Sequence, residues 1–179
     1  SEAIENRFNI DLDGVQYDAK FVFAEIGYQL EPSEISAAFA LVQLKNLSNN
    51  IKARQVNFDL HCQFLSKYQE FFELPKQNPN AETGWLAFPT IIKDQSPFTR
   101  TDLQIFLEKR NIQTRVVFTG NILRQPGYKD IDCIGNADDF VNADKVMKGG
   151  ILLALHHGLN DDMMNHIHNS ISEFLIQFS

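Results

Sequence analysis

The chain has 179 residues, 44% of them hydrophobic and 22% charged, the composition of a soluble globular domain and far from that of a disordered chain, and its length suits one sizeable core. Its formal net charge of -7, uninterrupted by any Lys/Arg cluster, argues against nucleic acid or an anionic membrane surface as a partner. Cys62 and Cys133 lie far apart without C-x-x-C spacing, so neither a disulfide framework nor a zinc site is indicated, and no apolar run approaches the roughly 18 residues of a membrane span.

Residues 1–31 mix aromatic, charged and glycine positions without a sustained period and read as an irregular or short-strand lead-in. From Ser33, the positions Ile35, Phe39 and Val42 form one apolar helical face, with Pro32 ahead of it and Glu34 in the first turn. Ser48, Asn49 and Asn50 are expected to end that helix. A second one then runs from about Ile51 to Tyr68 on Ile51, Phe58, Cys62 and Leu65. The stretch Leu74 to Gly84, with Pro75 and Pro79, is a loop.

WLAFPTII from Trp85 is a strand candidate, and Pro89, which lacks a ladder donor, predicts an edge strand or a bulge there. Thr99 and Asp102 fit a capping box ahead of a helix that ends near Lys109. TRVVF from Thr114 and GILLALHH from Gly150 are of strand length, separated by a Gly/Asn-containing loop and a helical segment around Asn142 to Lys148. Asn160 caps a final helix whose N-terminus suits Asp161 and Asp162 and whose buried stripe is Met164, Ile167, Ile171, Phe174 and Phe178. This alternation predicts an α/β (α+β) two-layer sandwich, a small sheet covered by helices on one face and preceded by a helix pair.

Five histidines invite a metal reading, which their spacing opposes. His156 and His157 as strand neighbours point to opposite faces, and His166 and His168 stand about 200° apart on a helix. They read as surface or ring-packing histidines, with no metal site. Arg115 and Arg124 flank Phe118, Thr119, Gly120 and Asn121. Two such arginines could grip a diphosphate while the Phe118 ring packs on sugar or base; surface arginines in weak salt bridges are the alternative. No Gly-rich phosphate loop, G-x-S-x-G elbow or Ser/His/Asp constellation is present.

Three segments carry a family resemblance: NIQTRVVFTGNILRQPGY at Asn111 to Tyr128, GILLALHHGLNDDMMNHIHNSISEF at Gly150 to Phe174, and GYQLEPSEISAAFALVQLKNL at Gly27 to Leu47. Together they resemble the closing domain of the DegT/StrS family, pyridoxal-phosphate-dependent aminotransferases and dehydratases that act on nucleotide sugars. The branch they are most similar to is that of CDP-4-keto-6-deoxyglucose 3-dehydratase, which carries a similar T-R-x-x-F-x-G-N-x-x-R-Q-P run.

The resemblance implies a C-terminal domain of the type I aminotransferase fold with a mainly antiparallel sheet, with residues 1–31 leading in from the large domain and 32–179 forming the small one. It implies a fragment, as does Ser1 in place of an initiator Met. It places the catalytic residue upstream, histidine in a dehydratase or lysine in an aminotransferase, so no catalytic residue is expected here. It assigns Arg115, Phe118, Asn121 and Arg124 to the nucleotide sugar. Tyr28 and Gln29 fall where the family has G-Y-N, a loop that reaches the cofactor phosphate of the other subunit in a homodimer. Gln29 is one methylene longer than the family Asn but keeps an amide donor. Pyridoxal or pyridoxamine phosphate, a cytoplasmic setting and deoxysugar synthesis for lipopolysaccharide O-antigen follow from the same resemblance. A sugar aminotransferase of the family and a non-catalytic stand-alone binding domain are the alternatives.

Overall fold

A computed structural model of the chain describes residues 10–12, 14–19, 22, 25–28, 30–128 and 131–178. Backbone contacts divide it into two units, Ser1–Leu44 and Lys45–Ser179. In the first, β1 (Ile10–Leu12) and β2 (Val15–Tyr17) form an antiparallel hairpin with Ile10 opposite Tyr17. Asp11 closes its turn by accepting from the Gly14 amide at 2.9 Å. The short-strand reading of this lead-in is met by that hairpin.

The predicted helix pair is corrected to a single helix, α1 (Glu34–Leu65). Ser33 caps it, its hydroxyl accepting from the Ser36 amide at 3.2 Å. Ser48, Asn49 and Asn50 do not end it, because each costs well under ~1 kcal/mol relative to Ala in a helix interior, and neither Gly nor Pro intervenes. Ile35, Phe39 and Val42 are exposed.

The second unit is built on a four-stranded sheet ordered β3 (Phe72–Glu73), β4 (Phe88–Ile92), β6 (Gly150–Leu153) and β5 (Arg115–Val116), every pair antiparallel. Phe88, Thr90 and Ile92 are buried while Pro89 and Ile91 are only partly so, the period-two signature of a sheet covered on one face. That face receives Phe58 and Leu65 of α1, Leu103 and Leu107 of α2 (Arg100–Glu108), and Ile167, Ile171, Phe174 and Leu175 of α4 (Asp161–Ile176). α3 (Val141–Gly149) runs into β6 without a loop. A Cβ on Gly149 would stand 2.3 Å from the Ile92 carbonyl oxygen, so this junction needs glycine.

Helix starts follow the local signals. Thr99 and Asp102 form the expected capping box on α2, and Asn160 accepts from the Met163 amide at the head of α4. Pro89 is a correction: β4 is an inner strand, flanked by β3 and β6. The proline is tolerated because β3 reaches only Ile91 and Ile92, so the ladder on that side has already ended at Pro89. The histidine geometry is also corrected. β6 stops at Leu153, and His156 and His157 lie beyond it with rings stacked at 4.3 Å rather than on opposite strand faces. His61 and His168 meet in the interior, ring nitrogens 3.0 Å apart.

Candidate functional site

The segment from β5 to α3 holds the sequence-predicted ligand residues. α2 ends at Glu108, Asn111 turns the chain with φ of 60°, and the Ile112 amide bonds back to the Leu107 carbonyl at 3.1 Å. The Glu108 carboxylate then accepts from the Thr114 amide at 2.6 Å. This brace delivers Arg115 to the sheet opposite Leu152.

Arg115 is exposed, and its side chain has no hydrogen-bond or ion-pair partner among the described residues. It borders an open cavity of about 380 Å³ with Asn111, Gln113, Leu152, Met163 and His166. The lining is mostly apolar with a few polar groups, the usual make-up of a small-molecule cleft.

After β5 the chain turns sharply. Phe118 adopts φ 45° with its ring 85% exposed. Gly120 follows at φ 62°, where a Cβ would lie 2.4 Å from that of Met147, so this loop presses directly on α3. Asn121 is 2% exposed. Its amide donates to the Ala137 carbonyl at 2.9 Å and to Asp144 Oδ1 at 2.8 Å, while its oxygen accepts from the Leu123 amide.

Arg124 is paired. Its Nε donates to Asp144 Oδ1 at 2.5 Å, and Nη2 donates to Asp144 Oδ2 at 2.6 Å and to Asp138 Oδ1 at 2.8 Å. The Arg124 guanidinium and the Asn121 amide hold the Asp144 carboxyl at about 2, well below its ordinary range, and the two aspartates raise Arg124 in turn. The four predicted residues thus share one segment but differ in presentation. Arg115 and Phe118 face outward, Asn121 faces inward, and Arg124 is bound to two carboxylates. Sequence reasoning missed Asp144 and Asp138, since nothing local marks an aspartate on α3 or in the preceding turn as the partner of a loop some twenty residues earlier. Tyr28 is exposed in the Ser1–Leu44 unit, and Gln29 lies outside the described residues.

The sequence matches the DegT/DnrJ/EryC1/StrS aminotransferase family over residues 2–172. The chain belongs to this family. The dTDP-4-dehydro-2,6-dideoxy-D-glucose 3-dehydratase of Saccharopolyspora spinosa is 34% identical over 163 residues, 91% of this chain and 35% of the relative. The lipopolysaccharide biosynthesis protein RfbH of Salmonella typhimurium is 29% identical over 160 residues, 88% of this chain and 36% of the relative. Among solved structures, E. coli GDP-4-keto-6-deoxy-D-mannose-3-dehydratase with bound hydrated PLP superposes with a TM-score of 0.68 at 28% identity, over 84% of this chain and 38% of that one. The chain spans little more than a third of the length of these DegT-family relatives.

Members of such a family imply pyridoxal phosphate, and the described residues can be tested for it. The cavity beside Arg115 contains no lysine to form a Schiff base. Lys145 and Lys148 are tied to Glu73 and Asp94. The lining of this cavity thus supplies no group that would hold the cofactor covalently. No helix among the described residues is long and apolar enough to cross a membrane.

Proposed function

We propose that this chain is the C-terminal domain of a nucleotide-sugar 3-dehydratase of the DegT family, in which it completes the substrate pocket and the dimer interface while bond-making stays with the large domain. The observation that carries the reading is Arg115, an exposed guanidinium unpaired among the described residues at the end of a braced strand, beside a mostly apolar cleft and three residues from an exposed aromatic ring. A diphosphate accepts a bidentate arginine, and a sugar or base packs on an aromatic face. The dehydratase relatives favour this branch, and their names carry dTDP- and GDP-sugars and lipopolysaccharide biosynthesis; a CDP-sugar and O-antigen synthesis are what the sequence resemblance adds.

On this reading Tyr28 and Gln29 belong to a loop that reaches the partner subunit's pyridoxal or pyridoxamine phosphate in a cytoplasmic homodimer. The chain by itself carries no catalytic residue. A sugar aminotransferase of the same family is the alternative, and the upstream residue, histidine or lysine, separates the two.

Calorimetric titration of the intact enzyme with CDP-glucose, dTDP-glucose and GDP-mannose tests the assignment. Arg115→Ala is expected to weaken the nucleotide sugar that binds by about 10- to 150-fold, the loss of a charge-assisted pair, with folding unchanged. Wild-type affinity in that variant would return Arg115 to a plain surface residue.

A further inference from the structure

We propose that Asp144 is a positioning residue for ligand binding: its carboxylate fastens the Val117–Gln125 segment to α3 and so holds Phe118 in the arrangement that, together with Arg115 on β5, grips a nucleotide sugar. The inference rests on the reading of Arg115 given above and adds a residue that makes no ligand contact itself.

Phe118 supplies the first reason. A φ of 45° is the left-handed region, which costs a bulky non-glycine residue about 1–2 kcal/mol. Its ring is 85% exposed, so burial does not compensate. Strained backbone of this kind persists where the surroundings over-determine it, and it concentrates at ligand-contacting positions.

The surroundings that over-determine it converge on Asp144. Its two oxygens accept from Asn121 Nδ2, Arg124 Nε and Arg124 Nη2, at 2.8, 2.5 and 2.6 Å. These partners lie three and six positions beyond Phe118, on the same segment. Gln125 ties that segment to itself through the Thr119 carbonyl at 3.0 Å, and Gly120 packs against Met147 one turn along α3 from Asp144. Asn121 is turned inward, and Nε and Nη2 of Arg124 are held by the two aspartates. What the loop itself presents is Phe118, three residues past Arg115 on β5. The carboxyl stays ionised down to about pH 2, so this fastening holds throughout the physiological range.

Asp144→Asn keeps the shape and removes the charge, while Asp144→Glu keeps the charge. In the 179-residue chain, amide hydrogen exchange of Phe118, Gly120 and Arg124 is expected to quicken at least tenfold in Asp144→Asn. Strands β4 and β6 should be unchanged, and Asp144→Glu should lie between. In the intact enzyme, titrated with the same three nucleotide sugars, Asp144→Asn is expected to weaken binding about tenfold and Asp144→Glu to recover part of it. Unchanged exchange in Asp144→Asn overturns the fastening, and quicker exchange spread equally over β4 and β6 reduces Asp144 to a residue of general stability. If Arg115→Ala weakens binding but Asp144→Asn does not, the positioning role fails and the reading of Arg115 stands. If neither variant weakens binding, the reading of Arg115 fails and takes this inference with it.

Discussion

Acidification should destabilise this domain through His61 and His168 before its carboxylates matter. His61 is wholly buried, and its Nε2 lies 2.9 Å from the Ala154 carbonyl oxygen. A carbonyl only accepts, so Nε2 carries the proton and Nδ1 must accept from His168 Nε2 at 3.0 Å. A further proton on His61 goes to Nδ1 and sets donor against donor, whereas one on His168 goes to its own Nδ1 and leaves this bond in place, so for His168 the penalty is burial of the charge. Burial pushes both imidazoles below their ordinary value, His168 to about 4, with the neighbouring His61 and Lys67 adding to it. The His168 ring also stacks on Phe64 at 4.1 Å, and the buried His61 lies 4.9 Å from Phe88, so His61 cannot turn to water without opening the core.

The sign follows from linkage. Both rings are neutral in the fold, whereas the unfolded chain takes up protons below about 6.5, so their contribution is complete above that pH and is lost as pH falls towards 4. For His168 the fall from 6.5 to about 4 corresponds to at most ~3.4 kcal/mol. Solvent screening of this half-buried ring brings the expectation to about 1–2 kcal/mol. Urea unfolding of the wild type and of His168→Gln, which keeps a donor for His61, measures it. Between about pH 7 and pH 4.5 the wild type should lose about 1–2 kcal/mol more than the variant. Parallel pH profiles, or a His168 imidazole that titrates by NMR at 6 or above, would refute the argument.

Gly120→Ala should cost at least about 2 kcal/mol in the same assay, because the new Cβ meets Met147 at 2.4 Å and φ is 62°; a neutral result would mean that the loop does not press on α3. Thr99→Ala should cost about 1 kcal/mol and raise hydrogen exchange in the first turn of α2, since the hydroxyl that caps the Asp102 amide is lost. Equal exchange in that turn would show the capping box to be energetically idle.

Much of this protein was legible in the chain itself. The heads of α2 and α4, the stripe Met164, Ile167, Ile171 and Phe174, and the short α3 were all readable, because caps and helical periods are relations between residues within a few positions of each other. Family membership was readable for a similar reason, since its motifs are contiguous runs. The tertiary structure decided what depends on partners distant in sequence. It carried α1 through Ser48 to Asn50, where propensity offers only weak penalties. It added the two-residue β3, which has too short a pattern to signal itself, and set Pro89 in an inner strand because β3 ends before reaching it. It joined His61 to His168 and bound Asn121 and Arg124 to Asp144. No local rule links such pairs; folding brings them together, and where a partner is buried, as at His61, excluding the water that would otherwise compete strengthens the contact.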